Sequence, residues 1–213
     1  MNGSPARARE IIKGLYVITE ARRARGHEEI VRDAIAGGAR LIQFRDKSLP
    51  AGEFRETAFR LREITRGLAV FIVNDDLETA LACDADGIHL GQGDLPLSKA
   101  RKIAGGRLII GISTHSLEEA RAAQAGGADY IGFGPIFKTG TKDAGEVKGP
   151  GAIRHIREKI KIPIVAIGGI KLDNAREVVK AGADAVAVIS AISGAKDAAD
   201  TTRRFVELFD GRF

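Results

Sequence analysis

Two cations and an amide alternate along one short stretch of the sequence. Gln43, Arg45 and Lys47 are each separated by one residue, and an extended chain places alternate side chains on the same side. Two cationic side chains beside an amide suit an anionic ligand that also forms hydrogen bonds. In the alternative interpretation, the charges simply reach solvent from the end of a strand. The alternation favours the first interpretation, so we predict that the three side chains face a bound anion.

Carboxylates follow two further apolar runs. The letters NDD (74–76) end one run, and GQGD (91–94) ends the next. Two carboxylates from neighbouring strand ends can bind Mg²⁺ together with water and substrate phosphates. Asp75 and Asp94 are the better candidate ligands, because Asp76 is well placed to cap a helix. Asp94 could instead cap the segment that follows it, and its own position leaves the two roles evenly balanced.

Eight short apolar runs could position these groups. They are mostly continuous in hydrophobicity, which is typical of strands covered on both faces. The runs lie at 15–19, 37–45, 70–74, 85–91, 108–114, 126–134, 163–169 and 181–190. Segments with helical spacing lie between them, and Ser116 and Asp173 are predicted to cap two of these helices. The alternation predicts one (β/α)₈ barrel domain over residues 1–213, with a basic segment at 1–14. A doubly wound open sheet is the alternative, although it usually has fewer strands.

In such a barrel, sites form at the carboxyl ends of the strands, and the later runs add groups there. The residues around 138–147 are rich in hydroxyls and lysine, which predicts a loop that closes over anions. Gly168-Gly169 follows the seventh run and Ser190-Ala191 the eighth. Backbone N–H groups after the last two strands commonly bind phosphate, and glycine allows a close approach. We therefore predict a phosphate site at this end.

Composition limits the classes of protein that remain. The chain has 213 residues, of which 44% are hydrophobic, and no apolar run approaches the roughly 20 residues of a membrane span. Residues 1–25 hold six bases and two acids and so carry +4 of the net charge of +5. The nearly neutral remainder argues against a nucleic-acid binder. Cys83 is the one cysteine of the sequence and has no partner for an internal disulfide, which favours a cytoplasmic protein. It is expected to be a small core residue. His89 is expected in the barrel interior.

Several motifs occur in the order and spacing of one known family. They are LYVIT, QFRDK, VND, ADGIHLGQGDLP, GISTH, GADYIGFGPIF, TGTK, IPIVAIGGI and VAVISAI. Over residues 15–192 the chain resembles the thiamine phosphate synthases. The resemblance implies a TIM barrel that joins a pyrimidine methyl diphosphate to a thiazole ethyl phosphate and releases pyrophosphate with Mg²⁺ as cofactor. It also implies small-molecule partners and leaves a homo-oligomer open.

The resemblance assigns roles to individual residues. The pyrimidine diphosphate is expected to contact Gln43, Phe44, Arg45, Asp46, Lys47, Asn74, Ser113 and Lys142. The thiazole phosphate is expected to contact Thr139, Gly140, Thr141, Gly169, Ile189 and Ser190. Asp75 and Asp94 are expected to hold Mg²⁺, and Arg45, Lys47, Ser113 and Lys142 are the expected catalytic residues. Gly140 stands where the family often has a hydroxyl residue, and a glycine there is expected to loosen the loop.

The resemblance further implies a dissociative reaction in which a carbocation-like pyrimidine is attacked by the thiazole nitrogen. Two rival functions share much of the sequence pattern. A thiazole tautomerase resembles the same barrel, but there a histidine follows the strand-6 glycine, where this chain has Pro135. A non-catalytic sensor of phosphorylated metabolites has no need of Asp75, Asp94 and Lys142. Both comparisons favour the synthase.

Overall fold

The strands close into a parallel barrel. The computed structural model describes residues 5–21, 25–140 and 146–209. Each strand pairs in parallel with its sequence neighbour, and β8 pairs with β1. The strands are β1 (Gly14–Ile18), β2 (Leu41–Phe44), β3 (Val70–Asn74), β4 (Gly87–Leu90), β5 (Ile109–Thr114), β6 (Tyr130–Phe133), β7 (Ile164–Ala166) and β8 (Ala185–Val188). The prediction of a (β/α)₈ barrel is confirmed, and each of the eight predicted runs overlaps a strand.

Helices surround the barrel. They are α1 (Pro5–Ile11), α2 (His27–Ala36), α3 (Ala51–Thr65), α4 (Leu77–Ala82), α5 (Leu97–Ala104), α6 (Leu117–Ala125), α7 (Gly149–Lys159), α8 (Ala175–Lys180), α9 (Ser190–Ser193) and α10 (Ala198–Glu207). Within the described residues, none of these helices is both long and apolar enough to cross a membrane.

The core has two parts, because each strand of a closed barrel has an inner and an outer face. Outward side chains such as Val17, Ile42 and Phe44 form the large cluster between barrel and helices. Inward side chains such as Tyr16 and Tyr130 form a second, smaller cluster inside the barrel. Cys83 belongs to the outer cluster, as predicted. The inner cluster closes the barrel below the carboxyl ends, and a site there therefore rests on a packed floor.

An aspartate before three of the strands explains part of the sequence repeat. Asp86, Asp129 and Asp184 each accept a hydrogen bond from the backbone N–H of a neighbouring strand, at 2.7–2.8 Å. Each also pairs with an arginine of a surrounding helix, at 2.6–2.8 Å. These contacts lie at the amino ends of the strands. They tie helices to the barrel and leave the carboxyl ends free to form a site.

Two of the predicted helix caps are confirmed, and one is wrong. Asp76 accepts from the backbone N–H of Thr79 at 2.9 Å, and Ser116 caps α6 in the same way. Asp173 does not cap α8, which begins at Ala175. The Asn174 side chain instead closes the preceding turn, accepting from Lys171 N and donating to Gly169 O. The helix consequently begins one residue later than predicted.

Candidate active site

A cavity of about 260 Å³ opens at the carboxyl ends of the strands. Its walls come from strand ends and from the loops that follow them, as expected for this fold. The lining residues are Ile18, Gln43, Arg45, Asn74, His89, Ser113, His115, Gly134, Pro135, Thr139, Ile167, Gly168, Gly169, Ile170, Lys171, Ala187, Val188, Ile189 and Ser190. Apolar side chains such as Ile18 and Ile167 line the cavity beside cationic and amide groups, which suits a flat ring that bears an anionic group.

The three alternating side chains, Gln43, Arg45 and Lys47, lie at the cavity or at its rim. Gln43 lies on β2 and Arg45 follows its last residue, and both line the cavity. Lys47 lies further along the loop at the rim, where its Nζ is 3.4 Å from an Asp75 carboxylate oxygen. The predicted grouping is therefore found, although Lys47 reaches it from a loop and not from a strand face.

Phe44 and Asp46 point away from the cavity. Phe44 is fully buried among the helices, with its ring stacked on Phe54 at 4.4 Å between centroids. Asp46 accepts from His27 Nε2 at 2.9 Å and from the backbone N–H of Ser48 at 2.7 Å. These contacts hold the loop that carries Arg45 and Lys47. A contact of either residue with a pyrimidine diphosphate would have to come from its backbone.

The two predicted metal ligands form a pair at the rim. Burial, followed by the hydrogen bond and negative charge of Asp94, raises the pKa of Asp75 to about 6. Although burial opposes it, hydrogen bonds from Asp75 and from Gly91 N hold the pKa of Asp94 below its usual value. The pair therefore holds a proton between its carboxylates near pH 6. Asp94 does not cap the next helix, since α5 begins at Leu97.

The chemistry of this pair fits Mg²⁺. Two carboxylates whose charges repel are stabilised by a cation that replaces the shared proton. Asp75 also adopts a left-handed backbone conformation with φ of 63°, which a non-glycine residue adopts only at some cost. Among the described residues, no cluster of three or more His, Cys, Asp or Glu side chains could hold a metal. Two carboxylates suit Mg²⁺, which keeps several waters and takes phosphate oxygens from its substrate.

Ser113 and Asn74 line the cavity at the ends of β5 and β3, as predicted. The Ser113 Oγ lies 2.9 Å from Nε2 of His89. Burial lowers the pKa of His89 to about 4, so its ring is neutral at neutral pH. The expectation that His89 lies in the barrel interior is confirmed, and its ring also reaches the cavity wall.

The opposite side of the cavity holds the residues expected to bind the thiazole phosphate. Thr139, Gly169, Ile189 and Ser190 line it, and Gly140 lies next to Thr139 in the loop. Thr141 and Lys142 lie outside the described residues. The described residues that were predicted to bind this phosphate therefore lie together on this side of the cavity or directly beside it.

The glycine pair has a structural role in addition to the predicted one. Gly168 and Gly169 have φ values of 99° and 64°. A Cβ on Gly168 would lie 2.6 Å from Pro135, and a Cβ on Gly169 would lie 2.5 Å from Lys138 O. The glycines thus allow the β6–α7 loop to pack closely on the β7 end of the cavity.

Sequence reasoning gave no role to two further polar side chains of the cavity. His115 follows β5, and its Nδ1 lies 2.8 Å from the Gly134 carbonyl. Lys171 follows the glycine pair after β7. His115 is the last residue of the GISTH motif and Lys171 directly follows IPIVAIGGI, so their position at a strand end was the available signal. Pro135 also lines the cavity, at the position where a tautomerase has its histidine.

Fold and cavity together define a (β/α)₈ barrel protein whose cavity at the carboxyl ends is lined by cationic and amide side chains, with a pair of carboxylates at its rim. Residues 15–192 match the family model described as thiamine monophosphate synthase. The chain is 52% identical over 199 residues to the thiamine-phosphate synthase of Methanospirillum hungatei, covering 92% of this chain and 97% of that one. The chain belongs to the thiamine monophosphate synthase family and is a transferase.

A solved structure supports the same assignment. The thiamine phosphate pyrophosphorylase from Pyrococcus furiosus has 49% sequence identity and a TM-score of 0.86, covering 92% of this chain and 94% of that one. A 3-hexulose-6-phosphate synthase superposes with a TM-score of 0.72 at 17% identity. The second likeness concerns the fold alone.

Proposed function

We propose that this chain joins 4-amino-2-methyl-5-pyrimidinylmethyl diphosphate to a thiazole ethyl phosphate, giving thiamine phosphate and pyrophosphate in a Mg²⁺-dependent reaction. The main support is the arrangement of the cavity mouth, where Arg45 and Lys47 lie beside the Asp75–Asp94 pair. Two cationic side chains and a candidate Mg²⁺ site therefore lie together at the cavity mouth. This grouping suits the binding of a diphosphate and the stabilisation of the pyrophosphate that leaves. The likeness to the named synthases supports the substrates.

Departure of pyrophosphate builds negative charge, and the mouth is built to stabilise it. Arg45 offers a planar set of donors to phosphate oxygens, and Lys47 adds a point charge. When bound at Asp75 and Asp94, Mg²⁺ would supply further charge stabilisation on the same oxygens. Lys142 is proposed to add a third cation from the loop. Because donors that are already in place need no reorganisation, they lower the barrier to breaking the C–O bond.

The pyrimidine is electron-rich, so its methylene carbon can carry positive charge as that bond breaks. The apolar side chains of Ile18, Ile167 and Ala187 would exclude water from this carbon. The thiazole nitrogen then forms the new C–N bond, held nearby by its phosphate near Gly169 and Ser190. Positioning supplies much of the rate, and the reaction requires no protein nucleophile.

The main alternative, a thiazole tautomerase, requires an acid–base group at the strand-6 loop. Pro135 occupies that point of the cavity wall and has no proton to exchange. His115 also lines the cavity, but it follows β5 and does not belong to the strand-6 loop. The contacts therefore favour the synthase.

Incubation with both phosphorylated substrates, with and without Mg²⁺, tests the proposal. The expected product is thiamine phosphate, quantified by chromatography after oxidation to its fluorescent derivative, and only when Mg²⁺ is present. Asp94→Ala is expected to remove the Mg²⁺-dependent product while circular dichroism shows a folded barrel. If no thiamine phosphate forms under any condition, the synthase proposal is wrong, and isomerisation of the thiazole phosphate would then be measured.

A further inference from the structure

Five hydrogen-bonded side chains cross the barrel interior beneath the cavity. Gln43 Nε2 donates to the Tyr16 hydroxyl at 2.9 Å, and that hydroxyl lies 2.9 Å from the Tyr130 hydroxyl. Tyr130 in turn lies 3.0 Å from His89 Nδ1, and His89 Nε2 lies 2.9 Å from Ser113 Oγ. We call this set the interior chain. Its two ends, Gln43 and Ser113, both line the cavity.

The sequence makes room for the interior chain with two glycines. A Cβ on Gly111 would lie 2.0 Å from the Tyr130 ring, and a Cβ on Gly132 would lie 3.2 Å from the His89 ring. Tyr16 and Tyr130 are fully buried, with 1% and 0% of their surface exposed. Buried hydroxyls require hydrogen-bond partners, so those of Tyr16 and Tyr130 must find them among the other members of the interior chain.

The Gln43 end sets the direction of donation. An amide N–H can only donate, so the Tyr16 oxygen accepts there. Tyr16 has one hydroxyl proton of its own, and in the described part of the structure Tyr130 is the other partner of that hydroxyl. If Tyr130 donated to Tyr16 instead, the buried Tyr16 proton would face no acceptor, which is costly. Tyr16 therefore donates to Tyr130.

The same reasoning continues to the far end. Tyr130 accepts from Tyr16, so its own proton goes to His89 Nδ1. Because Nδ1 accepts this proton, the His89 ring is neutral and carries its one N–H on the other nitrogen. That N–H must be on Nε2, which donates to Ser113 Oγ. The Ser113 proton is then left to point into the cavity.

We propose that the interior chain fixes the Ser113 hydroxyl as a hydrogen-bond donor toward a phosphate oxygen in the cavity, with Tyr130 and His89 as positioning residues. Phosphate oxygens only accept, so a fixed donor suits them, whereas reversed donation would direct the Ser113 proton to His89. The choice of the diphosphate as the acceptor rests on the proposed function. The direction of the chain does not.

The tautomer of His89 tests the direction without any substrate. Two-dimensional ¹⁵N–¹H spectra of the uniformly ¹⁵N-labelled protein distinguish a protonated Nε2 from a protonated Nδ1. The wild-type protein is expected to show His89 protonated at Nε2, and His89→Gln assigns the signal. Protonation at Nδ1 would overturn the proposal, whether or not the protein makes thiamine phosphate.

A double-mutant cycle tests the consequence for catalysis. Tyr130→Phe removes one hydroxyl and keeps the ring, and we expect kcat to fall about tenfold with KM for both substrates unchanged. In a Ser113→Ala background the same change should cause no further loss, because Tyr130 acts through Ser113. An equal loss in both backgrounds would contradict the proposal and indicate a general packing effect.

A matched control removes a buried hydroxyl elsewhere. Thr65 is fully buried at the end of α3 and donates to Leu61 O at 2.9 Å. Thr65→Val is expected to leave kcat at the wild-type value, and a fall equal to that of Tyr130→Phe would also contradict the proposal. If the wild-type protein makes no thiamine phosphate, the proposed function fails and the His89 tautomer still decides the direction.

Discussion

The Asp75–Asp94 pair predicts that the Mg²⁺ requirement depends on pH. Burial and the charge of Asp94 raise the pKa of Asp75 to about 6, so the metal-free pair holds a proton below that pH. Mg²⁺ must displace this proton in order to bind. Above about pH 6 no proton competes. Below it, each pH unit lowers the apparent Mg²⁺ affinity about tenfold, or about 1.4 kcal/mol.

Initial rates measured over a Mg²⁺ titration at several pH values test this expectation. The half-saturating Mg²⁺ concentration is expected to stay constant from about pH 8 to 7, to double by about pH 6 and to rise about fivefold further by pH 5. Asp94→Asn keeps an acceptor for the backbone N–H of Gly91 but removes one charge. In this variant we expect the half-saturating Mg²⁺ concentration to rise about a hundredfold. The pH at which it begins to rise further is expected to be lower, because Asp75 has lost its negative neighbour.

Glu177→Gln serves as the control, since Glu177 is an exposed carboxylate on α8. It should leave the Mg²⁺ titration unchanged at every pH. A half-saturating Mg²⁺ concentration that stayed the same between pH 6 and 5 would refute the shared-proton argument. Wild-type Mg²⁺ dependence in Asp94→Asn would refute the assignment of Asp94 as a ligand.

Three further changes have defined outcomes. Gly111→Ala forces a methyl group to within 2.0 Å of the Tyr130 ring, so urea denaturation should show a loss of about 3 kcal/mol in the free energy of unfolding; an unchanged midpoint would contradict the packing. His27→Leu removes the donor to Asp46 and should raise KM for the pyrimidine diphosphate several-fold with kcat nearly unchanged, whereas a change confined to the thiazole KM would contradict it. Lys142→Ala should lower kcat about a hundredfold, and weaker thiazole binding alone would show that its assignment is wrong.

The sequence was most informative where the strand period and the fold rule acted together. Gln43 and Arg45 were placed correctly, because alternate residues share a face and strand ends meet at one rim of the barrel. The same period puts Phe44 on the outer face, where it packs on Phe54. The QFRDK motif as a whole does not separate the side chains that face the cavity from those that face the helices.

Pairings across the barrel could not be predicted from the sequence. The partner of His89 depends on barrel closure, which brings it to Tyr130 and Ser113. Likewise, a helix cap depends on competing local contacts, as at Asn174, whose side chain closes a turn where Asp173 was expected to cap. Charge and periodicity are properties of single segments, whereas these contacts require several segments to meet.

The central claim is that the cationic mouth stabilises departing pyrophosphate, so the C–O bond breaks before the thiazole nitrogen attacks. The most direct test is a single-turnover comparison of the pyrimidine diphosphate with two protons or two deuterons on its methylene carbon. Slower turnover of the deuterated substrate is expected, because this carbon becomes planar as charge develops. Equal or faster turnover of the deuterated substrate would contradict the account and indicate a direct displacement by the thiazole.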